Sequence, residues 1–170
     1  MIRIIKKPLT RGEAFLLIKD NQRYPDLIYV SEKRFRDLPC SYIAEIDGQF
    51  AGLCGVYEFA SWIKIGPLVA LQKYHGKGLG RTLIETVLKD FPVRNIHISS
   101  SNEKVQTVVV SLGFSERKSF FMLPGVVQRF LLGQLMAMLS LKLIAEGIRK
   151  SIKYKRRPLK WYVRYNDSES

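Results

Sequence analysis

Three glycines at alternate positions form the part of this chain best suited to chemistry. Gly76, Gly78 and Gly80 lie between an apolar predicted strand and the amphipathic run 81–88. Such a loop brings several backbone N–H groups together, and the dipole of the following helix favours an anion there. Glycine also lets the backbone approach a phosphate closely and adopt positive φ. The loop therefore indicates a pyrophosphate-binding site.

The glycine loop differs from two other phosphate-binding motifs. The dinucleotide motif G-x-G-x-x-G has a different glycine spacing and occurs in a first βαβ unit, whereas this loop follows a predicted hairpin in mid-chain. A Walker A loop needs G-x-x-x-x-G-K-[ST], which the sequence lacks. A glycine-rich turn without a ligand is the remaining alternative, and the flanking strand and helix argue against it.

Hydrophobic periodicity and turn signals predict the elements that position the loop. Thr10 with Glu13 predicts a capped helix start, and Asp47-Gly48 between two apolar runs predicts a hairpin. The predicted strands are 2–6, 41–46, 50–59, 62–71, 95–99, 115–123 and 159–165, and the predicted helices are 10–19, a short one after 31, 80–89 and 102–112. This order predicts an α/β (α+β) fold with a mixed central sheet, mostly an antiparallel meander followed by strand–helix–strand.

Length and composition fit a single domain. The chain has 170 residues, of which 46% are hydrophobic, enough for a core. Its two cysteines, Cys40 and Cys54, lack zinc-site spacing and form no disulfide framework. With no signal-peptide pattern at the N-terminus, we expect a cytoplasmic protein without a metal site.

Positive charge is concentrated near the carboxyl end. The chain carries 28 basic and 15 acidic residues, a net charge of +13. One stretch, 142–164, holds a single acid and nine basic residues: Lys142, Arg149, Lys150, Lys153, Lys155, Arg156, Arg157, Lys160 and Arg164. Such a cluster attracts polyanions, either nucleic acid or anionic lipid. A solvated basic tail is the alternative.

A long apolar helix, 126–148, is predicted before the last strand. Its uncharged part, 130–141, is shorter than the roughly 20 residues that a membrane span needs. Gly133, Ala137, Ser140 and Gly147 share one helix face, which predicts close packing in the core or in a homodimer. A helix lying on a membrane surface is the alternative. We therefore expect one domain, 1–170, with a helical, basic insertion at 124–158.

Two motifs resemble those of the GCN5-related N-acetyltransferase (GNAT) family. The run 68–80, LVALQKYHGKGLG, is similar to the family's strand-plus-loop motif L-x-V-x-P-x-Y-R-G-x-G-I-G. Asn102 with Leu112-Gly113-Phe114 is similar to its N-x-x-A-x-x-x-Y-x-x-x-G-F segment. The order of elements agrees over about 1–123 and the last strand. The resemblance implies acetyl-coenzyme A as co-substrate and direct transfer of the acetyl group to an amine.

The resemblance also implies the residues that hold the cofactor. Backbone groups of the strand would bind the pantetheine arm, the loop would bind the pyrophosphate, and one asparagine would position the arm: Leu68, Val69 and Ala70; His75, Gly76, Lys77, Gly78, Leu79, Gly80 and Arg81; and Asn102. His75 and Gln72 depart from the family pattern without affecting backbone contacts. Val109 replaces the tyrosine that often protonates the leaving thiolate, and valine cannot donate a proton.

Three residues are candidates for the proton transfers. Strand alternation places His97 on one face with Ser99 and Ser101, at a position that carries a glutamate base in some relatives. An ordinary histidine pKa of about 6.5 suits a general base, although a half-exposed surface histidine is the alternative. Glu58 is a second candidate base or a solvent-facing strand end. Ser101 could supply a hydroxyl near the sulfur, or it could merely end the strand.

The sequence thus favours an acetyl-CoA-dependent N-acetyltransferase. The basic stretch 142–164 suggests an acceptor linked to nucleic acid, either aminoacyl-tRNA or a nucleobase, and a cationic acceptor fits poorly with a net charge of +13. A non-catalytic acyl-CoA-binding module is the second hypothesis, supported by Val109. A membrane-surface acyltransferase anchored by 126–148 is the third.

Overall fold

The computed structural model describes residues 1–21, 32–138 and 158–166. Twelve regular elements occur in these residues. The strands are β1 (Ile2–Lys6), β2 (Cys40–Ile46), β3 (Gln49–Phe59), β4 (Trp62–Ala70), β5 (Asn95–Ser100), β6 (Ser115–Arg117) and β7 (Lys160–Arg164). The helices are α1 (Arg11–Asn21), α2 (Glu32–Arg36), α3 (Leu79–Asp90), α4 (Glu103–Ser111) and α5 (Gly125–Met138).

The strands of the described residues form one sheet in the order β1-β2-β3-β4-β5-β7-β6. All neighbours are antiparallel except β4 and β5, which run parallel around the crossover helix α3. The predicted mixed α/β fold is confirmed. The predicted strand 115–123 is wrong beyond Arg117, because Phe120–Met122 forms a 3₁₀ turn. This turn brings Leu123 into an apolar cluster, where it is buried.

Local sequence signals correctly predicted one hairpin turn and one helix start. At the β2–β3 hairpin, Asp47 and Gly48 have φ of 51° and 74°, as a type I′ turn requires. At the start of α1, the Thr10 N–H donates to a Glu13 carboxylate oxygen at 2.8 Å, and the Glu13 N–H donates to the Thr10 hydroxyl at 3.3 Å. This reciprocal capping box satisfies two N–H groups at a helix end that would otherwise lack partners.

The two faces of the sheet are covered differently. One face packs on α1, α3 and α4 and forms the larger core, which includes Leu17, Leu83 and Val109. The other face carries a smaller cluster in which Trp62 and Val163 of the sheet contact Val127 of α5. Burial of these apolar side chains is the main stabilising contribution to the fold.

Helix α5 covers the second face of the sheet. The ring of Phe130 stacks on that of Phe59 with centroids 3.9 Å apart. Gly133 and Ala137 are exposed, and a Cβ at Gly133 would meet nothing within 4 Å, so the predicted packing in the core is wrong for these two residues, while packing in a homodimer stays a prediction. Ser140 and Gly147 lie outside the described residues. No described helix is long and apolar enough to cross a membrane.

Most of the basic stretch 142–164 and of the predicted insertion 124–158 lies outside the described residues. Within the described part, Lys160 forms an ion pair with Glu116 at 3.1 Å. The pair ties β7 to β6, the strand beside it at the sheet edge.

A substitution at Gly52 of β3 tests how closely β3 and β4 are packed. An added Cβ would lie 2.6 Å from the Val69 carbonyl oxygen and 3.2 Å from the Ala70 Cα, and backbone atoms cannot move aside cheaply. We expect Gly52→Ala to lower the free energy of unfolding by about 1–3 kcal/mol. Gly12→Ala is the control, because its Cβ meets nothing within 4 Å and alanine favours a helix. Urea denaturation measures both, and equal stability of the two variants would contradict the packing.

Candidate active site

The candidate site lies where β4 and β5 separate. Their pairing runs from Trp62–Asn95 to Ile65–Ile98 and then stops. Beyond it, β4 stays paired with β3 as far as Ala70, while β5 stays paired with β7 as far as Ser100. A register shift between β3 and β4 bends the strand here, and Pro67 has no N–H to donate. A gap therefore opens between two strands that are each held on their other side.

A cavity of about 360 Å³, which we call the loop cavity, lies along this gap. Its lining includes most of the residues that the sequence assigned to the cofactor: Leu68, Val69, Ala70, His75, Gly76, Gly78, Leu79, Gly80, Arg81 and Asn102. Lys77 is not among them, and its ammonium lies 5.3 Å from the centre of the Tyr74 ring. The strand edge, the loop and the asparagine are thus brought together at one site.

The glycine loop leads directly into α3. Gly76 and Gly78 have φ of 79° and 77°, and Gly78 caps the helix without a side-chain hydrogen bond. The first N–H groups of α3 therefore remain available to an anion, and the helix dipole favours one there. His75 donates from Nε2 to the Ala70 carbonyl oxygen at 3.0 Å, which ties the loop to the end of β4.

Two further predicted cofactor residues have structural partners. Arg81 donates to Glu85 at 3.0 Å and to the Ser111 hydroxyl at 2.6 Å, and so links α3 to α4. Asn102 caps α4, accepting from the Lys104 N–H at 3.0 Å through its Oδ1. Both side chains line the loop cavity while they hold the helices that flank it.

A second cavity of about 430 Å³, the α5 cavity, adjoins the first and shares Leu68 and Val105 with it. Strand β5 contributes Ser99 and Ser100 to its lining, with Ser101 just beyond the strand end. Helix α5 contributes Gln134 and Ala137. The remaining polar lining residues are Arg34, Asp37, Tyr57 and Lys64.

The three predicted catalytic residues lie in different surroundings. Ser101 lines the α5 cavity. Glu58 lines neither cavity, and its carboxylate pairs with Arg94 at 3.3 Å. His97 also lines neither cavity, and its side chain is fully buried. Val109, at the position of the expected tyrosine, is likewise fully buried and outside both linings.

His97 is held as a neutral imidazole. Its Nδ1–H donates to the Tyr162 carbonyl oxygen at 3.1 Å, while the buried Nε2 has no hydrogen-bond partner in the part of the chain that the structure describes. Burial lowers the pKa of His97 to about 4; the positive charge of Lys64 also lowers it, and the Tyr162 carbonyl opposes the change. Strand alternation gave the face of His97 correctly, but not that this face is covered.

Sequence reasoning missed four polar residues that line the α5 cavity: Arg34, Asp37, Lys64 and Gln134. Lys64 pairs with His97 in the β4–β5 register, so alternation along β4 could have placed it on the same face. No local signal connects Arg34 and Asp37, which come from α2 and the residue after it, with β4.

The model of the acetyltransferase (GNAT) family matches residues 11–114 of this sequence. The chain belongs to the GNAT acetyltransferase family. The match spans both motifs and all the elements that border the loop cavity. No curated protein matches the chain in sequence.

Several solved GNAT-like structures share the fold at low sequence identity. The ribosomal-protein-S18-alanine N-acetyltransferase of Escherichia coli is 19% identical, with 68% of this chain and 80% of that chain covered and a TM-score of 0.56. N-acetylglutamate synthase of Neisseria gonorrhoeae, solved with coenzyme A and N-acetyl-glutamate, is 15% identical with a TM-score of 0.65. That alignment covers 98% of this chain but 35% of the synthase.

Two more solved structures align over nearly all of their own chains, and one of them was solved with CoA. A GNAT family protein of Streptococcus pneumoniae is 21% identical over 74% of this chain and 95% of that chain, with a TM-score of 0.57. Rv2747 of Mycobacterium tuberculosis, solved with CoA and NLQ, is 10% identical over 94% of this chain and 97% of that chain, with a TM-score of 0.60. These likenesses show the fold.

The buried His97 should make stability depend on pH. An unfolded histidine has a pKa of about 6.5, so the unfolded chain binds a proton that the folded chain resists. The stabilisation is therefore complete above about pH 6.5 and is lost as pH falls toward the folded value of about 4. We expect the His97→Gln variant to lose roughly 3 kcal/mol of this pH dependence, measured by urea denaturation from pH 7.5 to 4.

His75→Asn is the control for this measurement, because it removes the other histidine and leaves His97 in place. It should keep the pH dependence of the unaltered chain. Parallel curves for His97→Gln and the unaltered chain would show that His97 is not buried as a neutral group.

Proposed function

We propose that this chain is an acetyl-coenzyme A-dependent N-acetyltransferase. One observation carries the proposal: the loop cavity and the α5 cavity meet where β4 and β5 separate, sharing Leu68 and Val105. A cofactor in one cavity and an amine in the other would bring the reacting atoms together. Holding two reactants in this way removes much of the entropic barrier to their reaction.

Coenzyme A fits the residues of the loop cavity. The uncapped start of α3 and the turns at Gly76 and Gly78 offer N–H groups to a pyrophosphate. The edge of β4 at Leu68–Ala70 is paired with β3 on one side only, so its other edge can pair with the amides of a pantetheine arm. When bound, acetyl-coenzyme A supplies an acetyl thioester, and several solved structures of this fold hold coenzyme A.

The amine that receives the acetyl group must lose a proton, so the α5 cavity needs a group that can take this proton. Asp37 is the one carboxylate among the described residues that line it, and its side chain is exposed to solvent. We assign proton removal to Asp37, directly or through water, and a hydrogen-bonding role near the sulfur to Ser101. Because Val109 cannot donate a proton, the thiolate would take its proton from water or a serine. His97 and Glu58 receive no direct role, because neither lines a cavity.

The other predicted functions rest on separate observations. A nucleic-acid-linked acceptor is supported by the net charge of +13 and the basic stretch 142–164. A non-catalytic acyl-CoA-binding module is supported by Val109. A membrane-surface acyltransferase is supported by exposed apolar side chains on α5, namely Leu132, Leu135 and Met136. The thiols of Cys40 and Cys54 suit a reducing cytoplasm.

Gly78 and Gly48 form a matched pair that tests cofactor binding. Both have positive φ, 77° and 74°, and an added Cβ at either meets nothing within 4 Å. Gly78→Ala should weaken acetyl-coenzyme A binding by roughly 10-fold or more, because relieving the strain of about 1–2 kcal/mol turns the loop N–H groups away. Gly48→Ala carries similar strain in the hairpin turn and should bind normally. Isothermal titration measures both, and the absence of binding by the unaltered chain at millimolar cofactor would overturn the proposed function.

Variants of two carboxylate residues show which of them removes the proton from the amine. We expect Asp37→Asn to lower kcat by roughly 100-fold or more, as for removal of a general base, while acetyl-coenzyme A affinity stays unchanged. Glu58→Gln removes a carboxylate that pairs with Arg94 outside both cavities, and should retain kcat within about twofold. Thiol release with a reactive amine measures both. The opposite ranking would assign the base to Glu58, and full activity of both variants would leave proton removal to solvent.

A further inference from the structure

Lys64 lines the α5 cavity, and no carboxylate of the described residues pairs with it. Its ammonium donates to the side-chain oxygen of Gln134 at 2.5 Å and lies 5.4 Å from the centre of the Tyr57 ring. Among the described residues, no carboxylate oxygen lies within 4 Å of it. The amide and the ring are uncharged, so they cannot neutralise the lysine.

Arg34 brings a second positive charge to the same cavity. Its guanidinium donates to the Ala137 carbonyl oxygen in the last turn of α5. Burial raises the pKa of Tyr57, and the positive charge of Arg34 opposes that rise. Lys64 and Arg34 thus both line the cavity and donate to α5 one turn apart, at Gln134 and Ala137. The described cavity lining holds one carboxylate, Asp37.

A buried positive charge without a counter-ion is costly. Burial lowers the pKa of Lys64 to about 8 because the charged form loses its hydration. An anion placed beside the ammonium would recover part of that energy, and charge-assisted hydrogen bonds are roughly twice as strong as neutral ones. The α5 cavity is therefore better suited to a ligand with an anionic group than to a cationic or neutral one.

We propose that the acceptor is a small amine that carries a carboxylate or phosphate group, and that Lys64 binds this group. The inference rests on the proposed function, because it concerns the acceptor side of the same site. A cavity of about 430 Å³ accommodates a molecule of amino-acid size. Anchoring the anion beside Tyr57 leaves the amine free to point toward Ser101 and the adjoining loop cavity.

Matched acceptors test this proposal. Thiol release from acetyl-coenzyme A would be followed with the twenty L-amino acids and their α-amides, and with 2-aminoethyl phosphate and ethanolamine. We expect at least one acid to exceed its neutral counterpart by 10-fold or more in kcat/KM. A preference for amino acids over amides would identify a carboxylate, and a preference for 2-aminoethyl phosphate over ethanolamine would identify a phosphate.

Variants then connect the preference with Lys64. Lys64→Met should raise KM for the preferred acid by about 10–100-fold, while KM for acetyl-coenzyme A and for the neutral counterpart changes less than twofold. Lys64→Arg keeps the charge and should keep most of the preference, which a lysine acting as general base would not allow. Lys89→Met removes an exposed lysine of α3, distant from the cavity lining, and should behave as the unaltered chain.

The outcomes separate this inference from the proposed function. Transfer to neutral amines or to bulk tRNA with no preference for small anionic amines would overturn the inference and support the function. An anionic preference that survives Lys64→Met would overturn the role of Lys64. Binding of acetyl-coenzyme A without transfer to any acceptor would overturn the inference and indicate a non-catalytic module. Absence of cofactor binding would overturn both.

Discussion

The end of hydrogen bonding between β4 and β5 determines the arrangement of the candidate site. Pairing stops after Ile65 and Ile98, yet neither strand is left unsupported, because β3 holds one and β7 holds the other. The free backbone groups along Leu68–Ala70 need partners, and a bound amide chain can provide them. The same separation lets the loop cavity and the α5 cavity meet within the sheet.

Helix α5 converts an exposed sheet face into a covered one. On this face His97 is fully buried, while Lys64 is half-buried and donates to Gln134 of the helix. Burial disfavours charged forms, so His97 stays neutral with its one proton on Nδ1, and Lys64 retains its charge at an energetic cost. The helix that covers this face also lines the α5 cavity, where we propose that Lys64 binds the anionic group of the acceptor. Packing and recognition are therefore linked through the same few residues.

The correct sequence predictions came from local rules. The wrong or missing ones concern contacts between residues that are distant in sequence. The capping box at Thr10, the turn at Asp47-Gly48 and the cap at Asn102 depend on residues within a few positions of one another, and all three were found. Alternation along β5 gave the face of His97, but coverage by α5 depends on tertiary packing. Arg34 and Lys64 line the same cavity because α2 and β4, which are distant in sequence, both border it.

A crystal structure with coenzyme A bound would show whether the pantetheine arm lies between the separated ends of β4 and β5. Backbone N–H and C=O groups of Leu68–Ala70 should hydrogen-bond to the pantetheine arm, with the pyrophosphate at the N–H groups of Gly76–Gly80 and the sulfur between Leu68 and Val105. Coenzyme A bound elsewhere would contradict this binding mode. Hydrogen bonds between β4 and β5 beyond Ile65 and Ile98, leaving no gap for the arm, would also contradict it.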